Sequence, residues 1–271
     1  MPEIPDLEAI RHYLWPRIKG HVVTATAAPL PWLVRTGAAE LDTLVGRQFS
    51  GVGRLGKFLL FETDDGRVLV VNPMLTGRFH WVESGTKPRN RVAVQLSFDH
   101  EHDLRYSDER RMGRWYLVPL DRLETVPQMA KLAPDALAMD EETFVHRVMA
   151  RRGQIKSILT NQEVIAGVGN AYSDEILWEA RLHPHRKRST MGEADVRRLF
   201  QAMHSTLARS MTIVDERAQA EGLGTKTEWR EHLQVHRREG EPCPRCGSAI
   251  RGQVRSGSET NYCLTCQPLF E

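Results

Sequence analysis

The first fifteen residues carry apolar side chains at the spacing of a helix face. Ile4, Leu7, Ile10 and Leu14 recur every three or four positions, with charged residues between them. This period predicts an amphipathic helix over residues 1–15 that buries one side against the rest of the fold.

Between Gly20 and about Pro119 the pattern changes to short runs rich in β-branched and aromatic residues. Turn signals such as Asp64-Asp65-Gly66 separate the runs, which is typical of strands joined by tight turns. Many short strands without intervening helices predict an antiparallel β-sandwich. The predicted strands cover residues 21–27, 48–55, 58–62, 68–71, 91–98, 104–107 and 115–118.

The rest of the chain divides into a helical part and a short module around four cysteines. Helical periodicity extends from about Met129 to Gly222, and the last 45 or so residues are strand-rich. We therefore expect an α+β protein in three segments. These are an N-terminal helix with an antiparallel β-sandwich at 1–128, a helical segment at 129–222 and the cysteine module at 223–271.

Composition excludes several classes of protein. Hydrophobic residues make up 41% of the 271 positions and charged residues 27%, which is typical of an ordinary globular chain. No apolar run approaches the roughly 20 residues needed to cross a membrane. The N-terminus also lacks the basic and hydrophobic segments of a secretory signal. We therefore expect a cytoplasmic protein without a membrane partner.

Positive charge is concentrated in one stretch, although the formal net charge is only +2. Residues 145–255 contain 19 Lys and Arg against 13 Asp and Glu, and residues 181–190 contain four basic residues and no acidic one. Such a concentration suits a phosphate backbone, because neutralising phosphates releases counterions. An ordinary solvated basic face explains the pattern equally well, so charge alone does not decide between the two.

Four cysteines near the C-terminus have the spacing of a zinc ribbon. Cys243 and Cys246 form one C-x2-C pair, and Cys263 and Cys266 form another after 16 residues. Each pair occupies a tight knuckle in such modules, and the two pairs together offer tetrahedral thiolate coordination. We expect one structural Zn²⁺ here, because four protein ligands leave no open position for a catalytic water.

The chain begins Met1-Pro2-Glu3, which has a chemical and an ordinary interpretation. Loss of Met1 would leave Pro2 with a free secondary amine, and an α-amino group has a pKa of roughly 7.7–8.0. Such an amine is partly neutral at physiological pH and can attack a sugar aldehyde carbon to form an iminium, with Glu3 beside it. The ordinary interpretation is that any protein can begin this way, so the dipeptide alone does not indicate catalysis.

A glycine turn interrupts the helical segment at Gly167-Val168-Gly169-Asn170. Backbone amides at such a turn can bind a phosphate, and the Asn170 side chain can add a donor. Lys156, one helix earlier, could approach the same anion. Turns of this sequence also occur without any ligand, so the motif gains weight only from its context.

Four sequence blocks occur together in the order of a known family. They are MPEIPDLEAI, GRLGKFLLF, the block GVGNAYSDEILW with the LHP that follows it, and the cysteine ribbon. In this combination the chain resembles the formamidopyrimidine-DNA glycosylase and endonuclease VIII family over essentially its whole length, and the first branch more closely. The resemblance implies a bifunctional DNA glycosylase and abasic-site lyase. Its parts would be a catalytic β-sandwich domain, a helix–two-turn–helix DNA-binding domain and a zinc finger.

The resemblance also implies roles for individual residues. Pro2 would be the nucleophile after loss of Met1, Glu3 an acid–base group, and Lys57 of the GRLGK motif a phosphate contact that assists catalysis. A target base must leave the DNA helix to be reached, so other side chains must fill the gap. The residues implied for DNA contact are Met74 as the intercalating side chain, Arg110 against the orphaned base and Asn170 at the phosphate backbone, with Lys156 expected beside it.

Several positions depart from the family pattern at DNA contacts. Val71 stands where a histidine phosphate ligand is usual, Ser258 where a zinc-finger arginine is usual, and Met112 where a wedge phenylalanine is usual. An early glutamate is replaced by Asp6. Each lost charged contact is expected to cost about 1.5–3 kcal/mol of DNA binding before compensation by neighbouring arginines.

These departures leave the substrate open. We expect a monomer that binds damaged double-stranded DNA at the nucleoid, with bubble or single-stranded DNA as alternatives. Residues 221–228 do not match the family loop over the flipped base, so a lesion other than 8-oxoguanine is an alternative target. A second hypothesis is a non-catalytic or lyase-only protein that binds damaged or abasic DNA.

Overall fold

The computed structural model describes residues 1–224, 228–255 and 257–269. Its internal contacts separate two compact units, Met1–Ala130 with Met211–Trp229 and Lys131–Ser210 with Arg230–Glu271. These units are defined by contacts and do not test the three segments at 1–128, 129–222 and 223–271, which stay a prediction. Among the described residues, no helix has the length and apolar character that a membrane span requires.

Helix α1 spans Ile4–Ile18, so the predicted N-terminal helix is confirmed and extends one turn further. Glu3 is its N-cap residue. The Glu3 carboxylate accepts a hydrogen bond from the backbone N–H of Asp6, and the Asp6 carboxylate accepts one from the N–H of Glu3 at 2.9 Å. This reciprocal capping box satisfies two N–H groups that a helix otherwise leaves unpaired, which fixes the start of the helix at Glu3.

The first unit contains eight strands that pair into two four-stranded antiparallel sheets, as the alternating pattern predicted. In chain order they are β1 (Val23–Ala27), β2 (Phe49–Leu55), β3 (Phe58–Thr63), β4 (Arg67–Asn72), β5 (Gly77–Glu83), β6 (Val92–Phe98), β7 (His102–Asp108) and β8 (Arg114–Pro119). One sheet has the order β1-β6-β7-β5 and the other β2-β3-β4-β8. A short helix α2 (Ala38–Asp42) lies between β1 and β2.

An aromatic cluster fills the space between the two sheets. Tyr106 makes edge contacts with Phe79 and with Trp115, both with ring centroids 5.3 Å apart. Leu7 and Leu14 of α1 belong to the same core, so the helix is packed onto the sandwich. Aromatic side chains each bury a large apolar area, so this cluster contributes substantially to the core of the unit.

Strand β5 is the one strand of the sandwich that the sequence pattern did not predict. It follows directly on the turn at residues 74–76. Its alternation is hard to recognise in the sequence because one face carries both the polar His80 and the apolar Val82. Gly77 is required at its first position, since a Cβ there would overlap the Tyr106 hydroxyl. The strand completes the sheet by pairing with β7 over its whole length.

Helices dominate the second unit, as predicted for this part of the chain. They are α3 (Glu141–Met149), α4 (Ile155–Thr160), α5 (Asn170–Glu179) and α6 (Glu193–Glu221). Helix α6 has 29 residues and a length of about 43 Å. Its residues up to Ser210 belong to the second unit, while those from Met211 belong to the first, where Val214 and Ala218 pack against Ala9 of α1.

The C-terminal module is a hairpin of β9 (Arg251–Arg255) and β10 (Ser258–Tyr262). It packs on α5 through Trp178, which shares a buried cluster with Cys243 and Ile250. The Arg245 guanidinium lies over the Trp178 ring, 3.9 Å from its centroid, and donates a hydrogen bond to the Trp178 carbonyl. The α+β class with a cysteine hairpin is therefore confirmed.

Candidate active site and nucleic-acid interface

The N-terminal residues are held in place before α1 begins. Pro2 and Glu3 are both buried, and Glu3 is locked by the capping box with Asp6. The α-amino group of Met1 forms an ion pair with the Glu228 carboxylate in the same unit. The first turn of α1 therefore presents the N-terminus of the chain from a fixed backbone, which is what a reacting amine requires.

Lys57 lies in the tight turn between β2 and β3. Gly56 precedes it with φ 56°, a left-handed conformation that glycine adopts without strain. Strand pairing closes the turn, since Leu55 faces Phe58 across the hairpin. The Lys57 side chain is mostly buried, so a rigid turn of the second sheet controls its direction.

A buried ion pair ties this turn to α1, and the sequence interpretation missed it. Arg54 of β2 donates through Nε to Glu8 Oε1 of α1 at 2.7 Å and through Nη1 to the Gly56 carbonyl at 2.8 Å. The Arg54 side chain is only 4% exposed. Arg54 is part of the GRLGK block, but its partner lies 46 positions away, and no local pattern reveals such a pairing.

Met74 lies in the turn between β4 and β5 with φ 53°, and its N–H donates to the Asn72 side chain at 3.0 Å. The next residue, Leu75, has 38% of its surface exposed. The turn therefore carries two adjacent apolar side chains that could insert into DNA. Sequence reasoning named only the first of them.

Asp108 joins this turn to the loop after β7, which carries Arg110 and Met112. One Asp108 oxygen accepts from the Thr76 hydroxyl, and the other accepts from the N–H groups of Met112 at 2.7 Å and Gly113 at 2.6 Å. The Thr76 hydroxyl oxygen accepts in turn from the Arg110 N–H at 3.0 Å. One buried carboxylate thus organises both loops. Met112 is 37% exposed and offers an apolar tip beside Arg110.

The structure places Val71 in the core of the sandwich. Its position in the motif is that of a phosphate-binding histidine, but the Val71 side chain is fully buried in the sandwich core. It pairs with Leu59 on one side and Trp115 on the other, in the middle of the second sheet. A side chain that packs there cannot reach DNA, so Val71 serves the core of this protein. The side chains of Ser258 and Arg255 lie outside the described part of the structure.

Lys156 and Asn170 converge on one acceptor, the main-chain carbonyl of Glu259 in β10. Asn170 Nδ2 donates to this oxygen at 2.7 Å and Lys156 Nζ donates to it at 3.0 Å. Lys156 also donates to Asp174 Oδ1 at 2.6 Å and to Thr260 Oγ1 at 2.8 Å. All three N–H donors of the ammonium thus have protein acceptors.

Two adjacent buried carboxylates of α5 hold the chain that leads to the cysteine module, and sequence reasoning did not identify this function. Asp174 Oδ2 accepts from His236 Nδ1 at 2.8 Å and from the Asn261 N–H at 3.1 Å. Glu175 accepts three backbone N–H groups, from residues 234, 235 and 236, at 2.8–2.9 Å. Burial raises the pKa of Glu175, while these three hydrogen bonds oppose the shift.

The four cysteines form the geometry of a tetrahedral metal site. Cys243 Sγ and Cys266 Sγ are 3.9 Å apart, and Cys246 Sγ and Cys263 Sγ are 3.4 Å apart. A tetrahedral zinc with Zn–S bonds of about 2.3 Å separates its sulfurs by about 3.8 Å. Gly247, with φ 76°, closes the first knuckle by donating to the Cys243 carbonyl at 2.8 Å. The cysteines therefore fit a structural Zn²⁺.

A cavity of about 230 Å³ lies on the outer side of the sheet β1-β6-β7-β5. Its lining includes His80, Arg105 and Ser107 on the strands and Leu223 and Gly224 on the segment after α6. Gly224 has φ 108° and touches His80 so closely that any Cβ would overlap the ring. This contact fixes the described start of the loop at residues 221–228.

Comparisons with known proteins find relatives along the whole chain. The family models "Formamidopyrimidine-DNA glycosylase N-terminal domain", "Formamidopyrimidine-DNA glycosylase H2TH domain" and "Zinc finger found in FPG and IleRS" match residues 1–115, 132–220 and 240–269. A formamidopyrimidine-DNA glycosylase of Desulforamulus reducens is 33% identical over 277 residues, which cover 98% of this chain and 99% of the relative. The one from Herpetosiphon aurantiacus is also 33% identical, over 98% of this chain and all of the relative.

Solved structures of the Lactococcus lactis formamidopyrimidine-DNA glycosylase have the same fold. One holds that enzyme non-covalently bound to DNA containing an abasic site, with a TM-score of 0.86 and 29% identity over 98% of this chain and 100% of that chain. Another is the complex of the same enzyme with DNA containing Fapy-dG, with a TM-score of 0.88 and 28% identity over 98% of this chain and 100% of that chain.

Proposed function

Because this chain belongs to the formamidopyrimidine-DNA glycosylase family, we propose that it excises a damaged base from DNA and cleaves the strand at the resulting abasic site. The chain is a DNA glycosylase of base excision repair, and its partner is damaged double-stranded DNA. It would act at the nucleoid. The observation that carries the proposed chemistry is the fixed N-terminus, where Pro2 precedes the buried N-cap Glu3.

The proposed reaction starts with the secondary amine that Pro2 gains when Met1 is removed. The amine nitrogen bonds to C1′ of the target sugar while the bond from C1′ to the base breaks, and the base leaves with a proton. The attacking amine loses its N–H proton, and the C1′–O4′ bond then breaks as O4′ takes up a proton, which opens the sugar ring and leaves an iminium at C1′. The iminium acidifies the C2′ proton, so a base can remove it and expel the 3′ phosphate by β-elimination. A second, δ-elimination on the 5′ side would complete the excision. Covalent catalysis divides one difficult cleavage into easier steps.

Glu3 is proposed to move protons in these steps, since it is adjacent to Pro2 and its position is fixed by the helix cap. Lys57 is proposed to bind the phosphate next to the reacting sugar. The ion pair of Arg54 with Glu8 supports this assignment, because it ties the Lys57 turn to the helix that starts at Glu3. A catalytic ammonium on a rigid turn needs less ordering when the substrate binds.

Contacts with DNA are proposed within each unit by itself. In the first unit, Met74 and Arg110 would fill the space left by the flipped base, and the loops that carry them are joined through Asp108. In the second unit, Asn170 would bind the phosphate backbone at the start of α5. Lys156 would support the same turn by holding the Glu259 carbonyl. The one structural Zn²⁺ folds the C-terminal module and takes no part in the reaction.

Borohydride trapping on a duplex with a single abasic site tests the covalent step. Reduction of the iminium should give a stable protein–DNA adduct whose cross-linked peptide begins at Pro2 in mass spectrometry. The proline-linked adduct should be lost when one alanine is inserted before Pro2, because the proline nitrogen then becomes an amide. Pro2→Gly keeps a primary amine at the N-terminus, so any adduct it gives should begin at glycine and form more slowly. Correctly processed protein that gives no adduct would refute the catalytic proposal.

The lesion is a separate question, and an alternative to 8-oxoguanine is favoured by one observation. The sequence of residues 221–228 does not match the family loop over the flipped base. In this chain Gly224, within that stretch, lies against the His80 ring. A panel of duplexes with oxidised purines, ring-opened purines and oxidised pyrimidines, each also as a bubble, would rank the substrates. Strand cleavage at abasic sites without release of any base would instead support the lyase-only alternative.

A further inference from the structure

Three histidines and an aspartate cluster at one end of the β-sandwich. His21 lies just before β1, Asp99 and His100 form the turn between β6 and β7, and His102 begins β7. Helix α1 separates this cluster from Glu3, since His21 follows its C-terminal end and a 15-residue helix is about 22 Å long. The cluster therefore lies apart from the residues proposed for catalysis.

The spacing of three polar atoms in this cluster suits a small metal ion. Asp99 Oδ1 lies 2.8 Å from His21 Nδ1 and 3.6 Å from His100 Nδ1. One ligand atom from each of these three residues can be chosen so that all lie within 4.8 Å of one another. A tetrahedral ion with bonds of about 2.0–2.2 Å separates its ligands by about 3.3–3.6 Å. The 3.6 Å separation lies at the edge of this range, and the 2.8 Å separation widens by about 0.5 Å when an ion enters.

His100 also presents a buried nitrogen that calls for a partner. Among the described residues, none is within hydrogen-bonding geometry of His100 Nδ1, although solvent does not reach the atom. An ion at this point would satisfy the orphaned lone pair.

Neighbouring contacts already hold the three side chains in position. Asp99 Oδ2 accepts the Val22 N–H at 3.1 Å, which leaves Oδ1 directed at the two histidines. The rings of His21 and His100 stack with centroids 3.6 Å apart, and those of His100 and His102 stack at 5.0 Å. Because an imidazole binds a metal in its ring plane, the His21 ring tilts out of this stack when the ion binds, while the contact with Val22 orients the Asp99 carboxylate.

We propose that His21, Asp99 and His100 bind one divalent transition-metal ion, separate from the zinc of the four cysteines. Two imidazoles and one carboxylate favour zinc, nickel, cobalt or copper over magnesium and calcium, which take oxygen ligands. Water completes the coordination. The ion takes the place of the contact between His21 Nδ1 and Asp99 Oδ1, and it joins the segment after α1 to the β6–β7 turn. Because these residues lie outside the proposed active site, this site and the proposed function fail or succeed independently.

The test uses tag-free, zinc-loaded full-length protein. After titration with Ni²⁺ and removal of unbound ion, elemental analysis should give one zinc and one nickel per chain. Titration with Co²⁺ should add absorption typical of nitrogen and oxygen ligands, without the thiolate charge-transfer band that cobalt would give at the cysteines.

Variants assign the ion to these residues. His21→Gln, Asp99→Asn and His100→Gln should each lose the nickel equivalent and keep the zinc equivalent, and the retained zinc and the circular dichroism spectrum show that the variant is folded. His12→Gln is the matched control and should keep both ions. Its ring also lies near two carboxylates, Glu8 and Asp215, but the Arg11 guanidinium contacts it at 2.8 Å. A parent protein that binds no second ion, or nickel retained by folded His21→Gln and His100→Gln, would overturn the proposal.

Discussion

Asp108→Asn should loosen both loops proposed to enter DNA, while leaving the shape of the side chain unchanged. The asparagine can keep its oxygen toward the N–H groups of Met112 and Gly113 and turn its amide toward Thr76, whose hydroxyl oxygen can accept. What is lost is the charge on the acceptor. Hydrogen bonds to charged groups contribute about 1.5–3 kcal/mol and neutral ones about 0.5–1.5 kcal/mol, so three bonds lose about 3–4.5 kcal/mol together.

The same substitution should weaken DNA binding. If the two loops are no longer fixed, Met74, Arg110 and Met112 must be ordered when DNA binds, at about 0.5–1.5 kcal/mol for each side chain. The sum, about 1.5–4.5 kcal/mol, corresponds to a Kd at least tenfold higher. Urea unfolding measures the first effect, and titration of a duplex with a stable abasic-site analogue, at fixed salt, measures the second.

Glu109→Gln is the matched control, because it removes the same charge from the adjacent position. Glu109 is 72% exposed, and its contact with Arg78 is long, at 3.8 Å. The free energy of unfolding of Glu109→Gln should differ from that of the parent protein by less than about 0.5 kcal/mol. Its affinity for DNA should stay equal or rise, since a negative charge is removed from the interface. If Asp108→Asn and Glu109→Gln give the same stability and the same Kd, the role assigned to Asp108 is wrong.

Three further predictions concern the second unit. Glu175→Gln presents an amide N–H to one of the three backbone donors and should reduce the free energy of unfolding by about 1.5–3 kcal/mol in urea titrations; a change below about 0.5 kcal/mol would contradict the anchoring role. Burial, with a smaller contribution from His185, lowers the pKa of His183 to about 4. Since this folded pKa is below the unfolded value of about 6.5, the stability from neutral His183 is present above pH 6.5 and lost as pH falls toward 4, up to about 3 kcal/mol. NMR titration of the imidazole should show His183 neutral at pH 5, and a midpoint near 6.5 would refute the assignment. Cys246→Ser removes one of four thiolates, so bound zinc should fall well below one per chain and amides of β9 and β10 should lose protection from hydrogen exchange; full retention of zinc would exclude the four-cysteine site.

The sequence predicted the elements whose periodicity is local. Helix α1 and seven strands lie within a few residues of their predicted bounds, because burial of one face imposes a period that can be counted along the chain. Strand β5 was not predicted because its outer face mixes polar and apolar residues, which obscures the alternation. The zinc ligands were predictable for the same reason as the helix, since metal coordination imposes a fixed spacing.

The sequence did not predict the contacts that hold the site together. Arg54 and Glu8 are 46 residues apart, and Lys156 and the Glu259 carbonyl are 103 residues apart. Pairings at such distances depend on the tertiary fold and leave no local pattern. The environment of Val71 is a related case. Counting back from Met74 gave its position in the family motif, and the sheet register adds that this side chain faces the core.

The internal pairing of Lys156 changes how the electrostatics of DNA binding should be counted. A free cation that neutralises a phosphate releases condensed ions and contributes about −0.9 to the slope of log K against log salt. Lys156 is already neutralised by Asp174 inside the fold, at 2.6 Å. Lys156 therefore stabilises the proposed DNA-binding surface and contributes almost nothing to the salt dependence of DNA binding. The excess of basic residues at 145–255 overstates the number of ions that DNA binding can release.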